Sequence, residues 1–151
     1  MMRRLAMLTV TALVAGTSSL VASTPADAAP VVQYTRIQYD SPGRDTGTNR
    51  SLNGEYVQLR NGTRRTVNLN RWYVRSARGE VSRFNSTFYL RPGRTVTIRT
   101  GRGHNTDTTR YWGRTLHVWN NTRDTAYLRN SSGTLMYSCS WTSTGRGYKY
   151  C

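Results

Sequence analysis

The sequence predicts an all-β chain folded as a sandwich or a barrel, and three observations carry that prediction. No stretch sustains the apolar period of an amphipathic helix. Short runs rich in β-branched and aromatic residues recur along the chain, separated by turn-forming clusters. Several of these runs alternate apolar and polar positions, as antiparallel strands with one solvated face do.

The first strand is expected over residues 32–39, followed by a polar loop over 40–54, DSPGRDTGTNRSLNG. Residues 55–61 form the next strand, with Val57 and Leu59 on one face and Gln58 and Arg60 on the other; Asn61-Gly62 then turns the chain. In the strand expected over 71–76, Trp72 and Val74 oppose Tyr73 and Arg75, and the turn ARGE leads into a strand at 81–84. The turn RPGR precedes a strand at 95–100, where Val96 and Ile98 alternate with Thr97 and Arg99. Residues 100–114, TGRGHNTDTTRYWGR, form a long polar loop, and loops of that length inside a compact domain are commonly functional. Strands are expected at 116–119, 125–129 and 134–138, the last two joined by NSSG. Ala126 and Leu128 share the buried face of the middle one, and Tyr127 and Arg129 its other face.

The first 28 residues read as a secretory signal peptide. Arg3 and Arg4 precede an apolar run from Leu5 to Leu20, and Ala26-Asp27-Ala28 supplies a small-residue processing site. The run is too short and interrupted to span a bilayer, no other segment approaches one, and membrane insertion is not expected. The expected organisation is a signal peptide over 1–28, an N-terminal segment over 29–36, one β-domain over 37–138 and a tail over 139–151. A secreted protein, extracellular or associated with the cell wall, follows from this reading.

The chain holds 22 basic and 7 acidic residues. Arg3, Arg4 and Asp27 fall in the leader, which leaves 20 and 6, a net charge of +14. A small domain so charged attracts nucleic acid, acidic wall polymers and anionic membranes without specificity. Cys139 and Cys151 are the only cysteines. In a secreted chain they are expected to pair and to close the tail CSWTSTGRGYKYC into a loop.

Four runs in order carry a family resemblance: NGEYVQLRN, VNLNRWYVRSARGEVSRF, YLRPGRTVTIRTGRG and VWNNTRDTAYLRNSSGTLM. They contain E-Y-V-x-L-x-N, a tryptophan strand with its turn, L-x-P-G-x-x-V-x-I, and W-N-N-x-x-D-x-A-x-L before a glycine turn. Over residues 37–137 the chain resembles the lamin-tail domain. The resemblance implies an immunoglobulin-like antiparallel β-sandwich without catalytic activity, used for adhesion or targeting. The tail from Cys139 resembles an extension seen in small stand-alone bacterial versions.

Candidate chemistry is sparse. His117, Asp124 and Asn120 lie close in sequence and could serve as base, orienting acid and oxyanion donor. Asn and Asp equally serve turns by bonding backbone groups nearby, which makes 118–128 a strand–turn–strand junction. Glu55, Asp124 and a histidine could form a small hydrolase site, nuclease-like in character, but Glu55 is better read as pairing with an arginine at a sheet edge. Asp40, Asp45 and Asn49 lack the spacing of a calcium loop, and His104 with Asp107 falls short of a zinc ligand set. No metal or other cofactor is therefore expected.

The residues expected to bind a ligand are cations and aromatics. Arg102, His104, Arg110, Tyr111, Trp112 and Arg114 concentrate in one loop; Trp141, Arg146, Tyr148 and Lys149 concentrate in the tail, with Tyr150 beside them. Guanidinium groups grip phosphate bidentately and aromatic faces stack on rings. The expected function is a non-enzymatic binding module for an anionic polymer, nucleic acid or cell-wall polymer, or for a surface protein. The alternatives are the hydrolase and a protein-interaction domain whose charge is incidental.

Overall fold

The computed structural model describes residues 31–143 and 145–151. The expected signal peptide over 1–28, and the two residues after it, lie outside the described residues. Among the described residues, eleven strands and one short helix succeed one another in chain order: β1 (Val32–Gln38), α1 (Asn49–Gly54), β2 (Tyr56–Asn61), β3 (Val67–Asn68), β4 (Tyr73–Arg75), β5 (Val81–Arg83), β6 (Tyr89–Leu90), β7 (Thr95–Arg99), β8 (Thr109–Tyr111), β9 (Arg123–Arg129), β10 (Leu135–Thr142) and β11 (Tyr148–Tyr150).

One sheet has five strands in the order β11-β1-β2-β7-β8, a second has four in the order β10-β9-β4-β5, and β3 pairs with β6. The expected alternation packs the two larger sheets together as an immunoglobulin-like sandwich. Tyr34, Ile37, Val57, Leu59, Val96 and Ile98 of the five-stranded sheet join one core with Val74, Ala126, Leu128 and Trp141 of the other. Arg60 and Arg75 stay exposed on the opposite faces. A bulge interrupts β1 between Tyr34 and Arg36. It lets Tyr34 face Leu59 in the core while Arg36 faces outward beside Gln58.

Besides adding the short pair β3 and β6, which the sequence reading did not expect, the structure departs from it at four places. Residues 116–119 are not a strand; the backbone N–H groups of Val118 and Trp119 donate to the Glu55 carboxylate instead of a ladder. The 40–54 loop contains α1, capped by Thr48, whose hydroxyl accepts from the Ser51 N–H at 3.3 Å. The 100–114 loop contains β8, which runs parallel to β7, so the sheets are not purely antiparallel. The tail contains the end of β10, in the four-stranded sheet, and β11, which pairs with β1 in the five-stranded sheet.

The disulfide between Cys139 and Cys151 is formed, with Cα atoms 6.0 Å apart. Cys139 lies on β10 of the four-stranded sheet, and Cys151 comes directly after β11 of the other. Its backbone N–H donates to Thr35 O, in the bulge of β1, at 3.1 Å. The bond therefore ties the two layers together. Replacing both cysteines with alanine is expected to lower unfolding free energy by about 3 kcal/mol, from the entropy of the released loop. Urea denaturation of the variant, read against wild type under oxidising and reducing conditions, measures that loss.

Candidate functional site

The polar cluster around His117 is assembled by Glu55. This residue is the C-cap of α1, directly before β2, and is fully buried. Its Oε2 accepts from the Val118 N–H at 3.0 Å and its Oε1 from the Trp119 N–H at 2.6 Å. A carboxylate thus takes the place of a neighbouring strand, which is why 116–119 forms no ladder. Burial pushes the Glu55 carboxyl above its usual range, opposed by these two N–H groups and by His117. The expectation that Glu55 pairs with an arginine is corrected by this geometry.

His117 sits between two acids. Its Nδ1 is 3.6 Å from Glu55 Oε2 and its Nε2 is 3.5 Å from Asp45 Oδ1. The Ser51 hydroxyl lies 3.4 Å from the same Nε2. Asp124 is elsewhere: its Oδ1 accepts from the Ala77 and Thr125 N–H groups, and its Oδ2 from the Asn120 N–H. Asn120 Oδ1 accepts in turn from the Thr122 N–H at 2.8 Å. The backbone-serving roles expected of Asn120 and Asp124 therefore hold, although no strand precedes the turn, and among the described residues no hydrogen bond or ion pair joins Asp124 to Glu55 or to a histidine.

The cations and aromatics do converge, on the outward face of the five-stranded sheet. Strand register places Tyr148, Gln38, Tyr56, Arg99 and Tyr111 in one row, one residue from each strand. A second row runs Tyr150, Arg36, Gln58, Thr97 and Thr109. At a strand spacing of about 4.8 Å each row is about 19 Å long. Arg60, exposed, extends the face next to Thr95.

The guanidinium groups lie over the rings. Arg36 Cζ is 4.6 Å from the Tyr148 centroid, 5.5 Å from that of Tyr150 and 5.9 Å from that of Tyr56. Arg99 covers Tyr56 at 5.5 Å. Such stacking holds a flexible cation in one place, and Gln38 fixes Arg36 further by accepting from its Nη2 at 2.8 Å. The five strands contain no Asp or Glu. Among the described residues both ion pairs belong to His117, and none joins an arginine to a carboxylate.

The structure treats the residues expected from sequence in different ways. Tyr111 and Tyr148 stand at opposite ends of the first row, which joins the 100–114 loop to the tail. Arg102, His104, Arg114, Arg146 and Lys149 are exposed. Arg110 has the inward parity of β8, opposite Ile98. Trp112 and Trp141 belong to an internal aromatic row: Trp112 meets Trp119 edge-on at 5.6 Å, Trp119 meets Trp141 likewise, and Trp141 stacks on Tyr39 at 5.2 Å. Their indole N–H groups donate to Val81 O and Asn120 O. Arg36, Tyr56 and Arg99 complete the face, and sequence reasoning did not single them out.

The long loop is clamped. The Asn49 side chain accepts from the Arg102 N–H at 2.7 Å and donates to Arg102 O at 3.0 Å, and Asn53 donates to that same oxygen at 2.9 Å. Gly103 lies directly against the Tyr111 ring, where an added Cβ would come within 2.3 Å of Cζ. Asn49 is thus engaged with the backbone, while Asp40 and Asp45 both accept from Asn121 Nδ2, at 3.0 and 3.4 Å. Among the described residues no three His, Cys, Asp or Glu side chains cluster as a metal site would require. No helix among them is long and apolar enough to cross a membrane.

A family model described as Lamin Tail Domain matches residues 25–143. None of the curated proteins matches the chain.

Proposed function

The chain belongs to the lamin tail domain family, and from that premise we propose that it is a secreted, non-enzymatic module that captures an anionic polymer outside the cell. The family supplies an immunoglobulin-like sandwich that is generally not catalytic and often mediates protein interactions. The observation that carries the finer reading is the outward face of the five-stranded sheet. Arg36, Arg60 and Arg99 lie there among Tyr56, Tyr111, Tyr148 and Tyr150, on strands without a carboxylate.

A surface of unpaired cations gains by releasing a polyanion's condensed counterions, so capture weakens steeply as salt rises. Stacked arginines lose little side-chain freedom on gripping an oxyanion, and tyrosines can cover flat rings between charges. The leader-like segment over 1–28 and the paired cysteines support an extracellular setting.

Chromatography of the purified protein on immobilised nucleic acid and on wall polymer tests this reading. Retention at low salt and elution within a salt gradient are expected on at least one of them. Flow-through on both at low salt overturns it. The family's role in protein interactions favours a surface protein as the second reading, which would instead give a complex that survives high salt.

A further inference from the structure

The four-stranded sheet also turns a cationic face outward, on the other side of the sandwich. Val74 of β4 and Ala126 and Leu128 of β9 are buried, so the alternate positions of those strands point away from the core. Strand register then places Arg129, Tyr73 and Arg83 in one row across β9, β4 and β5. Tyr127, Arg75 and Val81 form the next row. Arg75 is therefore diagonal to Arg83 on one side and to Arg129 on the other, a spacing of about 7–8 Å between such neighbours.

The guanidinium groups are placed but not neutralised. Arg83 lies 4.4 Å over the Tyr73 ring and donates through Nη1 to Arg71 O, and Arg129 donates through Nη1 to Gly133 O. Each keeps further N–H groups for a ligand, and Arg75 is exposed. The acids nearby are engaged elsewhere. Asp124 is buried with its carboxylate on backbone N–H groups, and Glu80, in the turn between β4 and β5, accepts from the Ser76 hydroxyl. Among the described residues neither acid forms an ion pair with an arginine. A charge on the edge strand β5 guards against strand addition, which accounts for Arg83. It does not account for Arg75 and Arg129 on the interior strands β4 and β9. Like charges so placed repel one another in the free protein, and an anionic chain lying across them removes that cost.

We propose that this face is a second polyanion site, and that the module bridges two polymer chains, one on each side of the sandwich. The proposal rests on the polymer-capture reading and extends it from holding one chain to cross-linking two. Packed sheets lie about 10 Å apart with their outward faces in opposite directions, so one stiff chain cannot lie on both. The second site is the weaker. Its longest rows cross three strands with two gaps, about 10 Å, against about 19 Å on the five-stranded sheet. Arg83 and Arg129 also commit one N–H each to a carbonyl. Losing its arginines therefore leaves the hold on a single chain nearly intact and removes the bridge.

A bridging assay with short duplex DNA tests the proposal, since backbone charge is recognised without regard to sequence and a short duplex does not wrap. Beads carrying the duplex are loaded with protein at low salt, washed, and offered a fluorescent copy of the same duplex. Wild type is expected to retain the fluorescent copy. Arg75→Ala with Arg83→Ala in one chain is expected to load the beads within about twofold of wild type but to retain about tenfold less fluorescence, or lower still. Arg44→Ala with Arg64→Ala, exposed positions outside the strands, removes the same charge and should bridge as wild type does. Should the first pair fold poorly, Arg75→Gln alone gives a smaller loss in the same direction. Protein that loads but retains no fluorescent duplex would overturn the second site and leave single-chain capture standing. Bridging unchanged by the Arg75 and Arg83 variants would overturn it too, because self-association of the protein would then join the chains. Failure to load the beads at all would overturn the second site together with duplex capture by the first.

Discussion

Glu55→Ala is expected to cost about 3–4 kcal/mol of unfolding free energy, because each buried backbone N–H left without an acceptor costs about 1–3 kcal/mol and this variant strands two. The Val118 and Trp119 N–H groups donate to the two carboxylate oxygens and have no strand partner in reserve. The damage should spread beyond the junction. Trp119 is the middle ring of the Trp112–Trp119–Trp141 row, so releasing residues 118–119 loosens the packing between β5 and β10. Glu55→Gln keeps one acceptor and turns an NH2 group toward the other N–H, and about half the loss is expected. Equilibrium denaturation of the two variants measures both values. A cost below about 1 kcal/mol for Glu55→Ala would show that water replaces the carboxylate.

The same residue gives stability a pH dependence whose sign is set by its environment. Burial raises the folded-state carboxyl pKa above the ordinary 4.5, against the pull of the two N–H groups and His117. A raised pKa means that the folded protein holds the proton more tightly than the unfolded chain does. The resulting stabilisation is complete below 4.5 and is lost as pH climbs through the raised value. The stability difference between wild type and Glu55→Gln should therefore shrink as pH rises across that window. His117 and Asp45 face the same carboxyl or its histidine, so His117→Asn in both backgrounds separates their share.

Much of the sandwich was legible because buried antiparallel strands impose alternation. Val57 and Leu59, Val96 and Ile98, and Ala126 and Leu128 announced β2, β7 and β9 through nothing but that period. The same rule misled at Leu116-His117-Val118-Trp119, which alternates as a strand does but finds a side-chain carboxylate instead of a ladder. Nothing local distinguishes those partners. Short polar edges were silent: TRY in β8 and YKY in β11 bury too little to leave an apolar pattern. Arginine and tyrosine were visible as composition, but their assembly was not. Tyr111 and Tyr148 become two ends of one row only through the strand order β11-β1-β2-β7-β8, and Trp141 left the surface only once its indole met Asn120 O.

The largest effect on binding is expected from removing the outer-face cations together, as Arg36→Ala, Arg60→Ala and Arg99→Ala in one chain. Each arginine that neutralises a polymer charge adds about 0.7–0.9 to the slope of log affinity against log salt. Losing three should flatten that slope by about 2–3 and weaken capture about a hundred- to a thousand-fold near 0.1 M salt. The tyrosines serve as an internal control. Tyr56→Leu keeps bulk on β2 but removes the ring under Arg36 and Arg99, so affinity should fall while the salt slope stays near wild type. A diffuse attraction from the net charge of +14 would behave differently. Any three exposed arginines would then matter equally, and Arg44→Ala, Arg64→Ala and Arg71→Ala, all exposed and none on the five strands, would flatten the slope as much. The comparison of these two triple variants therefore separates a built face from a charged protein. Equal loss would leave the polymer captured but the face without a special role, whereas loss confined to the first variant fixes the polymer to the outward face of the five-stranded sheet.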